Sequence, residues 1–427
     1  METNVAYRKR IVDEALELQL ESAGIVLIEG AKWCGKTTTA EQQARSVIYM
    51  DDPHRKEAYR QAAELEPTQL LEGEKPRLID EWQKYPQLWD TCRFVVDRSS
   101  QDGLFILTGS AKPVDSSKLS HTGTGRVGWI KMRPMTLWES GESSGTVSLL
   151  QLFQTPLTAA TSIDRSLRDI CFLLCRGGWP KAIGKSERAA LRQAYNYIDA
   201  IVKRDIIDVD ETNRSEAHTR QLLRSYARNQ GSQASYGTIA ADMSNNDNSS
   251  MSDITIASYI NALKKLFVIE DMEAWNPNLR SKTAIRTADT RYFTDPSMAT
   301  AALGIGPADL MNDLNTLGLF FETMAVRDLR VYAEANDGQV YHYRDGNGLE
   351  CDAVIHLRNG HYALVEIKLG GESLIKEGAK NLLLLEQKID TEKMYAPSFK
   401  MIVTAVGQYA YCREDGIYVV PISCLKD

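Results

Sequence analysis

The 427-residue sequence has no apolar run approaching the roughly 18 residues that a membrane span needs, so neither a transmembrane helix nor a membrane partner is expected. Its first ten residues, METNVAYRKR, lack the apolar core of a secretory leader. Cysteine is sparse and scattered. Of the seven, only Cys171 and Cys175 lie close together, and no second Cys or His pair follows at zinc-site spacing. A structural zinc is therefore not expected, whereas reduced thiols in a cytoplasmic protein are. An excess of positive charge is also missing. Fifty Lys plus Arg against 57 Asp plus Glu give a net charge of −7, which excludes a wholly basic nucleic-acid-binding surface and leaves room only for a local patch. Internal repeats and long low-complexity tracts are absent as well. What is present is a globular balance, 43% hydrophobic and 25% charged, in a chain long enough for about three domains.

Residues 11–150 alternate helical and strand-like segments. Ile25 to Glu29 is a short apolar run ending at a glycine loop, Arg77 to Ile79 leads into an acidic strand end, and Leu104 to Leu107 is a third apolar run. Such runs are too continuous to have one wet face, and with helical stretches between them they predict a parallel sheet covered on both sides. Beyond Trp138 the pattern turns helical over 163–230, broken at Gly177-Gly178-Trp179-Pro180. From about residue 315 it becomes one helix followed by strands of period two.

Gly30-Ala31-Lys32-Trp33-Cys34-Gly35-Lys36-Thr37 fits G-x-x-x-x-G-K-[ST], between a strand and a helical stretch. Glycines at 30 and 35 let the backbone turn so that consecutive N–H groups, with those of Cys34 and Thr38, point at phosphate oxygens, and the helix start adds partial positive charge. Lys36 would reach the β- and γ-phosphates of ATP, and the Thr37 hydroxyl would ligate Mg²⁺. Leu78-Ile79-Asp80-Glu81 supplies the acidic strand end that such a loop needs. Asp80 would hold Mg²⁺ through water, and Glu81 would polarise the attacking water. Thr108 and Ser110 are read as facing opposite ways, so that one at most, with Ser110 as the candidate, senses the γ-phosphate. Arg126, in Gly123-Thr124-Gly125-Arg126, is a candidate for stabilising developing charge, in cis or in trans. Action in trans would require a homo-oligomer.

The order of phosphate loop, Asp80-Glu81, Thr108-Gly109-Ser110, Gly125-Arg126 and Arg133-Pro134-Met135-Thr136-Leu137-Trp138-Glu139 resembles a prokaryotic AAA+ type ATPase. The rest resembles the C-terminal region commonly fused to it, through Gly177-Gly178-Trp179-Pro180, Tyr197 with Lys203-Arg204-Asp205-Ile206, Tyr292-Phe293-Thr294-Asp295, Phe321-Glu322 and Glu366-Ile367-Lys368. The resemblance implies an α/β protein: an N-terminal P-loop NTPase parallel sheet covered by helices (1–160), a helical lid or linker (161–215), a winged helix-turn-helix (216–300), and a small α/β domain like PD-(D/E)XK nucleases (301–427). Two departures stand out. Trp33-Cys34 is a bulkier loop filling than usual, and an Asn-Ser insert near 245 lengthens the helix-turn-helix.

Tyr236 to Asp242 and Thr255 to Leu266 are the expected pair of helices, the second with Ile256, Ile260, Leu263 and Leu266 on one face. Ala241 to Asp253 is expected as a loop, and Phe267-Val268-Ile269 with Met272 to Trp275 as two wing strands. Residues 201–300 carry 12 basic and 13 acidic residues, and the only local excess is Arg280, Lys282, Arg286 and Arg291. DNA docking there has thin electrostatic support, and docking of a protein partner is the alternative.

Glu350 to Leu357 and Tyr362 to Leu369 flank the turn Arg358-Asn359-Gly360-His361. Burying Cys351, Ala353, Ile355 and Leu357 together with Ala363, Val365, Ile367 and Leu369 requires odd residues to pair with odd ones. A three-residue turn, with Gly360 left-handed, meets that requirement, and a two-residue turn does not. Asp352, Glu366 and Lys368 then share a face, a pattern suited to metal-dependent phosphodiester cleavage. The resemblance adds Glu322 as a further ligand. The leading expectation is a Mg-dependent ATPase whose nucleotide state controls the C-terminal modules. The alternatives are an ATP-gated nuclease and a non-hydrolysing nucleotide-loaded regulator.

Overall fold

The computed structural model describes residues 7–110, 125–210, 212–247, 250–280 and 284–427. The chain forms two compact units. The first is Met1–Pro134 with Lys203–Arg214 and Asn261–Phe267, and the second is Met135–Val202, Ser215–Ile260 and Val268–Asp427.

In the first unit, α1 (Val12–Ser22) leads to β1 (Ile25–Gly30), followed by α2 (Lys36–Gln43), β2 (Ser46–Tyr49), α3 (Lys56–Leu65), β3 (Arg77–Asp80), α4 (Gln87–Val96), β4 (Phe105–Gly109) and β5 (Val127–Met132). The five strands make one sheet in the order β2-β3-β4-β1-β5, with every pairing parallel. The three inner strands, β3, β4 and β1, are buried on both faces, which is why they read as unbroken apolar runs. Ile25, Leu27, Ile79 and Leu107 pack on one side with Leu88, Trp89 and Cys92 of α4. Val26, Ile28, Leu78 and Ile106 pack on the other with Leu16 of α1 and Ala40 of α2.

The second unit contains a seven-stranded mixed sheet. Its order is Ala160–Thr161, Tyr409–Cys412, Tyr418–Pro421, Phe399–Thr404, Tyr362–Lys368, Glu350–Leu357 and Gly338–Arg344. Helix Leu314–Glu334 packs against the Gly338–Arg344, Glu350–Leu357 and Tyr362–Lys368 end of the sheet, and helix Glu372–Lys388 packs against Tyr362–Lys368 and its two neighbours. The hairpin pairs Ala363 with Ile355 and Val365 with Ala353, odd with odd. The Leu357 N–H reaches His361 O at 2.8 Å around a three-residue turn in which Gly360 has φ 87°. Several of the motif residues after Trp138 knit this unit together. The buried Asp295 carboxylate accepts from the Gly178 N–H at 3.0 Å and from Arg327 at 2.7 Å, and the Trp179 indole donates to Ser297 at 2.9 Å.

Two expectations for 216–300 need correction. The segment from Ala241 to Asp247 is not a loop but the last part of helix Tyr236–Asp247. Ile239 and Met243 are buried one turn apart and the Ser235 hydroxyl caps the start at 3.1 Å, so the polar run simply occupies the outer face. The two wing strands are instead one extended run, and its partner is not itself but 290–294: Ile269 bridges Phe293 and Met272 bridges Thr290. Phe267, left-handed at φ 56°, sets the bend before that run. Farther on, Trp275 N–H donates to His342 O at 2.7 Å, so the run ends along the sheet's outer strand. Of the basic patch, Arg280, Arg286 and Arg291 fall within the described residues and Lys282 lies outside them.

Candidate functional site

A parallel sheet brings the carboxyl ends of all its strands to one edge. Glu29 lies beside Gly109, and Asp80 lies beside both Thr108 and Tyr49. The phosphate loop leaves β1 there, Asp80 and Glu81 end β3 there, and Ser110 follows β4 there, the usual place for a ligand in an open α/β sheet.

The loop's shape is set by its glycines. Gly30 has φ 156°, and a Cβ on it would come 2.0 Å from the Met132 carbonyl oxygen. Gly35, at φ 107°, starts α2 without any side-chain cap. Trp33 is left-handed at φ 65° and exposes its indole. Thr39 N–H is the first to bond backward, to Gly35 O at 3.0 Å. The N–H groups of Gly35, Lys36, Thr37 and Thr38 therefore have no hydrogen-bond partner among the described residues. Four uncommitted donors at a helix start are suited to an anion. Lys36 Nζ folds over the loop onto Gly30 O and Ala31 O, each at 2.9 Å.

The acidic pair lies beside this loop. The Thr37 hydroxyl donates to Asp80 Oδ1 at 2.7 Å, and Thr108 donates to the same oxygen at 2.5 Å. A hydroxyl and a carboxylate touching at the loop are hard oxygen donors of the kind Mg²⁺ takes, so these residues fit that ion. Glu81 sits in a left-handed conformation (φ 55°), which turns its carboxylate toward Ser110, and Ser110 donates to Oε2 at 3.1 Å; Gln83 donates to the same oxygen. Thr108 and Ser110 thus both reach the acidic pair, against the expectation that they diverge. Residues two apart on a strand share a face.

Arg126 is not brought to the loop. Its carbonyl accepts from Ile25 N–H at 3.1 Å, at the opposite end of β1, and its guanidinium pairs with Asp97. β5 runs parallel to β1 and begins at the amino edge, five residues of strand (about 17 Å at 3.3 Å each) from Gly30. Action in cis is thereby corrected. Gly123 and Thr124 of its motif lie outside the described residues.

In the second unit, the hairpin register sets Asp352, Glu366 and Lys368 together. Asp352 Oδ2 accepts from Ile367 N–H at 2.7 Å and from Lys368 Nζ at 3.1 Å, while Lys368 stands 2.6 Å from Glu366 Oε2. Glu366 is 1% exposed, and its Oε1 has no hydrogen-bond partner among the described residues. Burial drives the Glu366 carboxyl well above its usual range, and the Asp352 charge adds to this. Burial alone would depress the Lys368 ammonium, but Asp352 and Glu366 outweigh it and raise it. Glu322, on helix Leu314–Glu334, accepts from the Tyr292 hydroxyl. Burial, with Asp352 nearby, lifts its carboxyl to about 8. Among the described residues no three His, Cys, Asp or Glu side chains are grouped closely enough to hold a metal ion. The Lys368 ammonium pairs with both hairpin carboxylates, and a metal ion would have to displace it to reach them.

Residues 22–140 match the family model of an AAA domain. The matched stretch covers the part of the first unit that holds the parallel sheet and the loop. Residues 167–309 and 317–425 match two domains of unknown function, DUF8612 and DUF4143. Two curated relatives, the uncharacterised proteins Rv2008c of Mycobacterium tuberculosis and Mb2031c of Mycobacterium bovis, are each 24% identical over 412 residues, 95% of this chain and 82% of theirs. Among solved structures, a Walker-type ATPase of Pyrococcus abyssi is similar over 70% of this chain and 97% of its own, with 12% identity and a TM-score of 0.42.

The first unit also uses residues that sequence reasoning passed over. Lys32 Nζ meets Asp205 Oδ1 at 2.6 Å, which gives the Lys203-Arg204-Asp205-Ile206 motif a contact on the phosphate loop. Arg10 donates to Cys34 O at 2.8 Å and Arg133 O at 2.9 Å. A basic residue inside the loop motif and an acid in a distant motif were the available signal for the first. Bonds to carbonyl oxygens leave no such signal for the second.

Proposed function

We propose that this protein binds MgATP on residues 30–37 and hydrolyses it, and that nucleotide state controls the C-terminal modules. The observation that carries the reading is the row of four uncommitted N–H donors at the uncapped start of α2, beside the Thr37–Asp80 contact. In this reading the backbone of Gly35, Lys36, Thr37 and Thr38 binds phosphate oxygens, and Lys36 exchanges its carbonyl contacts for the β- and γ-phosphates. Thr37 and Asp80 would hold Mg²⁺, which when bound offsets phosphate charge. Glu81, steadied by Ser110, orients water and takes its proton. Lys32 links the loop to Asp205, in a segment continuous in sequence with helix Glu187–Ala200, and this offers nucleotide state a route out of the loop. Titration with a fluorescent ATP analogue and phosphate-release assays test the reading. Wild-type binding and turnover, both abolished in Lys36→Ala, are expected, and equal ATP affinity in that variant overturns it. Tight binding without turnover would instead mark a non-hydrolysing regulator, docking DNA or a protein partner.

A second reading, an ATP-gated nuclease acting through Glu322, Asp352, Glu366 and Lys368, is favoured by one observation: the buried Glu366 Oε1 that has no donor. Incubation with single- and double-stranded DNA and RNA plus Mg²⁺ or Mn²⁺ tests it. Cleavage that disappears in Asp352→Ala supports it, and no cleavage, or cleavage that persists in that variant, rules it out.

A further inference from the structure

We propose that Arg10 is a positioning residue of the phosphate site, holding the loop in its open, anion-ready form. The inference rests on the nucleotide-binding reading above and assigns a cause to the orientation of the Gly35 N–H.

Arg10 is 3% exposed, deep for a residue that usually keeps its head in water. Its planar fork is spent on two backbone oxygens, Cys34 O at 2.8 Å and Arg133 O at 2.9 Å. The segment around it is braced. The Arg10 N–H donates to Asp13 Oδ2 at 2.8 Å, Tyr7 donates to Asp13 Oδ1 at 2.7 Å, and the same Tyr7 hydroxyl meets Thr39 Oγ1 of α2 at 3.0 Å. The fork is thus fixed relative to both ends of the loop-to-helix junction.

Two features of the loop meet at Cys34 O. In a trans peptide the carbonyl and the next N–H point in opposite directions. Drawing the Cys34 oxygen toward Arg10 therefore turns the Gly35 N–H away from it. The second feature concerns helix growth. Thr39 N–H already bonds Gly35 O, and the next bond backward would join Thr38 N–H to Cys34 O. Gly35, at φ 107°, leaves the helical region, so that bond is not made and Thr38 N–H stays available, while the guanidinium takes up the Cys34 oxygen. Without Arg10, Cys34 O would lose its guanidinium donor and could turn, taking the Gly35 N–H with it. An arginine is suited to this because one fixed plane engages two carbonyls, whereas a lysine presents a single point of charge.

The test compares Arg10→Ala, Arg10→Gln and Arg10→Lys in the full chain, by MgATP titration and by steady-state hydrolysis well below each variant's melting temperature. We expect Arg10→Ala and Arg10→Gln to weaken MgATP binding by about tenfold or more, the scale of losing a charged hydrogen bond. KM should rise correspondingly while kcat stays within about threefold, with partial rescue in Arg10→Lys. A merely structural arginine would shift melting without that KM effect. If Arg10→Ala fails to fold, the Gln and Lys variants carry the same comparison. Wild-type affinity in the folded Gln variant, or a kcat loss at unchanged KM, overturns the proposal. Failure of the wild type itself to bind ATP would overturn the nucleotide reading, a result distinct from either.

Discussion

Lys32 and Asp205, 173 residues apart in the chain, meet at 2.6 Å, and their exposures are unequal: the lysine side chain is 39% exposed and the aspartate 9%. Removing either partner is therefore not equivalent. Lys32→Met strands a buried carboxylate and should cost about 2 kcal/mol, whereas Asp205→Asn leaves a lysine free to turn to water and should cost about 1 kcal/mol or less. Chemical denaturation of both single variants and the double variant measures the order. Equal losses, or the reverse order, would show that burial of Asp205 is not what sets the energy.

Glu81 is held by Ser110 and Gln83 and lies outside the row of N–H donors. Glu81→Gln should bind MgATP within about threefold of wild type and lose about 10²- to 10³-fold in hydrolysis, the usual scale for removing a general base. Phosphate release alongside titration separates the two. Retained turnover would assign the water-activating role elsewhere.

Gly30→Ala tests the tight approach of β1 to β5. An added methyl would sit 2.0 Å from a backbone oxygen, at a φ that side chains rarely adopt. Backbone must move to admit it, at a cost of about 3 kcal/mol or more, and the loop should lose its shape with it. A melting temperature within about 2 °C of wild type would contradict the packing described for β1 and β5.

Glu322 predicts a pH dependence of stability. Its carboxyl titrates near 8 when folded, raised first by burial and then by Asp352, against an unfolded value of about 4.3. Between those values the folded state holds a proton that the unfolded chain has released, so stability falls as pH rises through that window. Glu322→Gln should flatten the decline between pH 5.5 and 8.5. Parallel slopes for the two proteins would place the titrating group elsewhere.

Much of this was readable in the sequence because it depends on local pattern. Dry strands announce themselves as apolar runs, and the hairpin register follows from which residues must be buried together with a left-handed Gly360. The extended partner of 268–275 was not readable, since nothing local says that 290–294 will lie beside it. Nor was the position of Arg126. Chain order does not reveal which end of a strand faces the loop, and only the parallel pairing of β5 with β1 does. The helix through Ala241–Asp247 was missed because its polar composition outweighed two buried residues one turn apart.

A cradle made of main-chain amides depends on residue number more than on residue type. Swapping Ala31 or Cys34 for another side chain of similar bulk leaves every donor from Gly35 to Thr38 where it was, whereas inserting a single residue between Gly30 and Gly35 would rotate the whole set out of alignment. Spacing, more than spelling, is what this loop has to preserve.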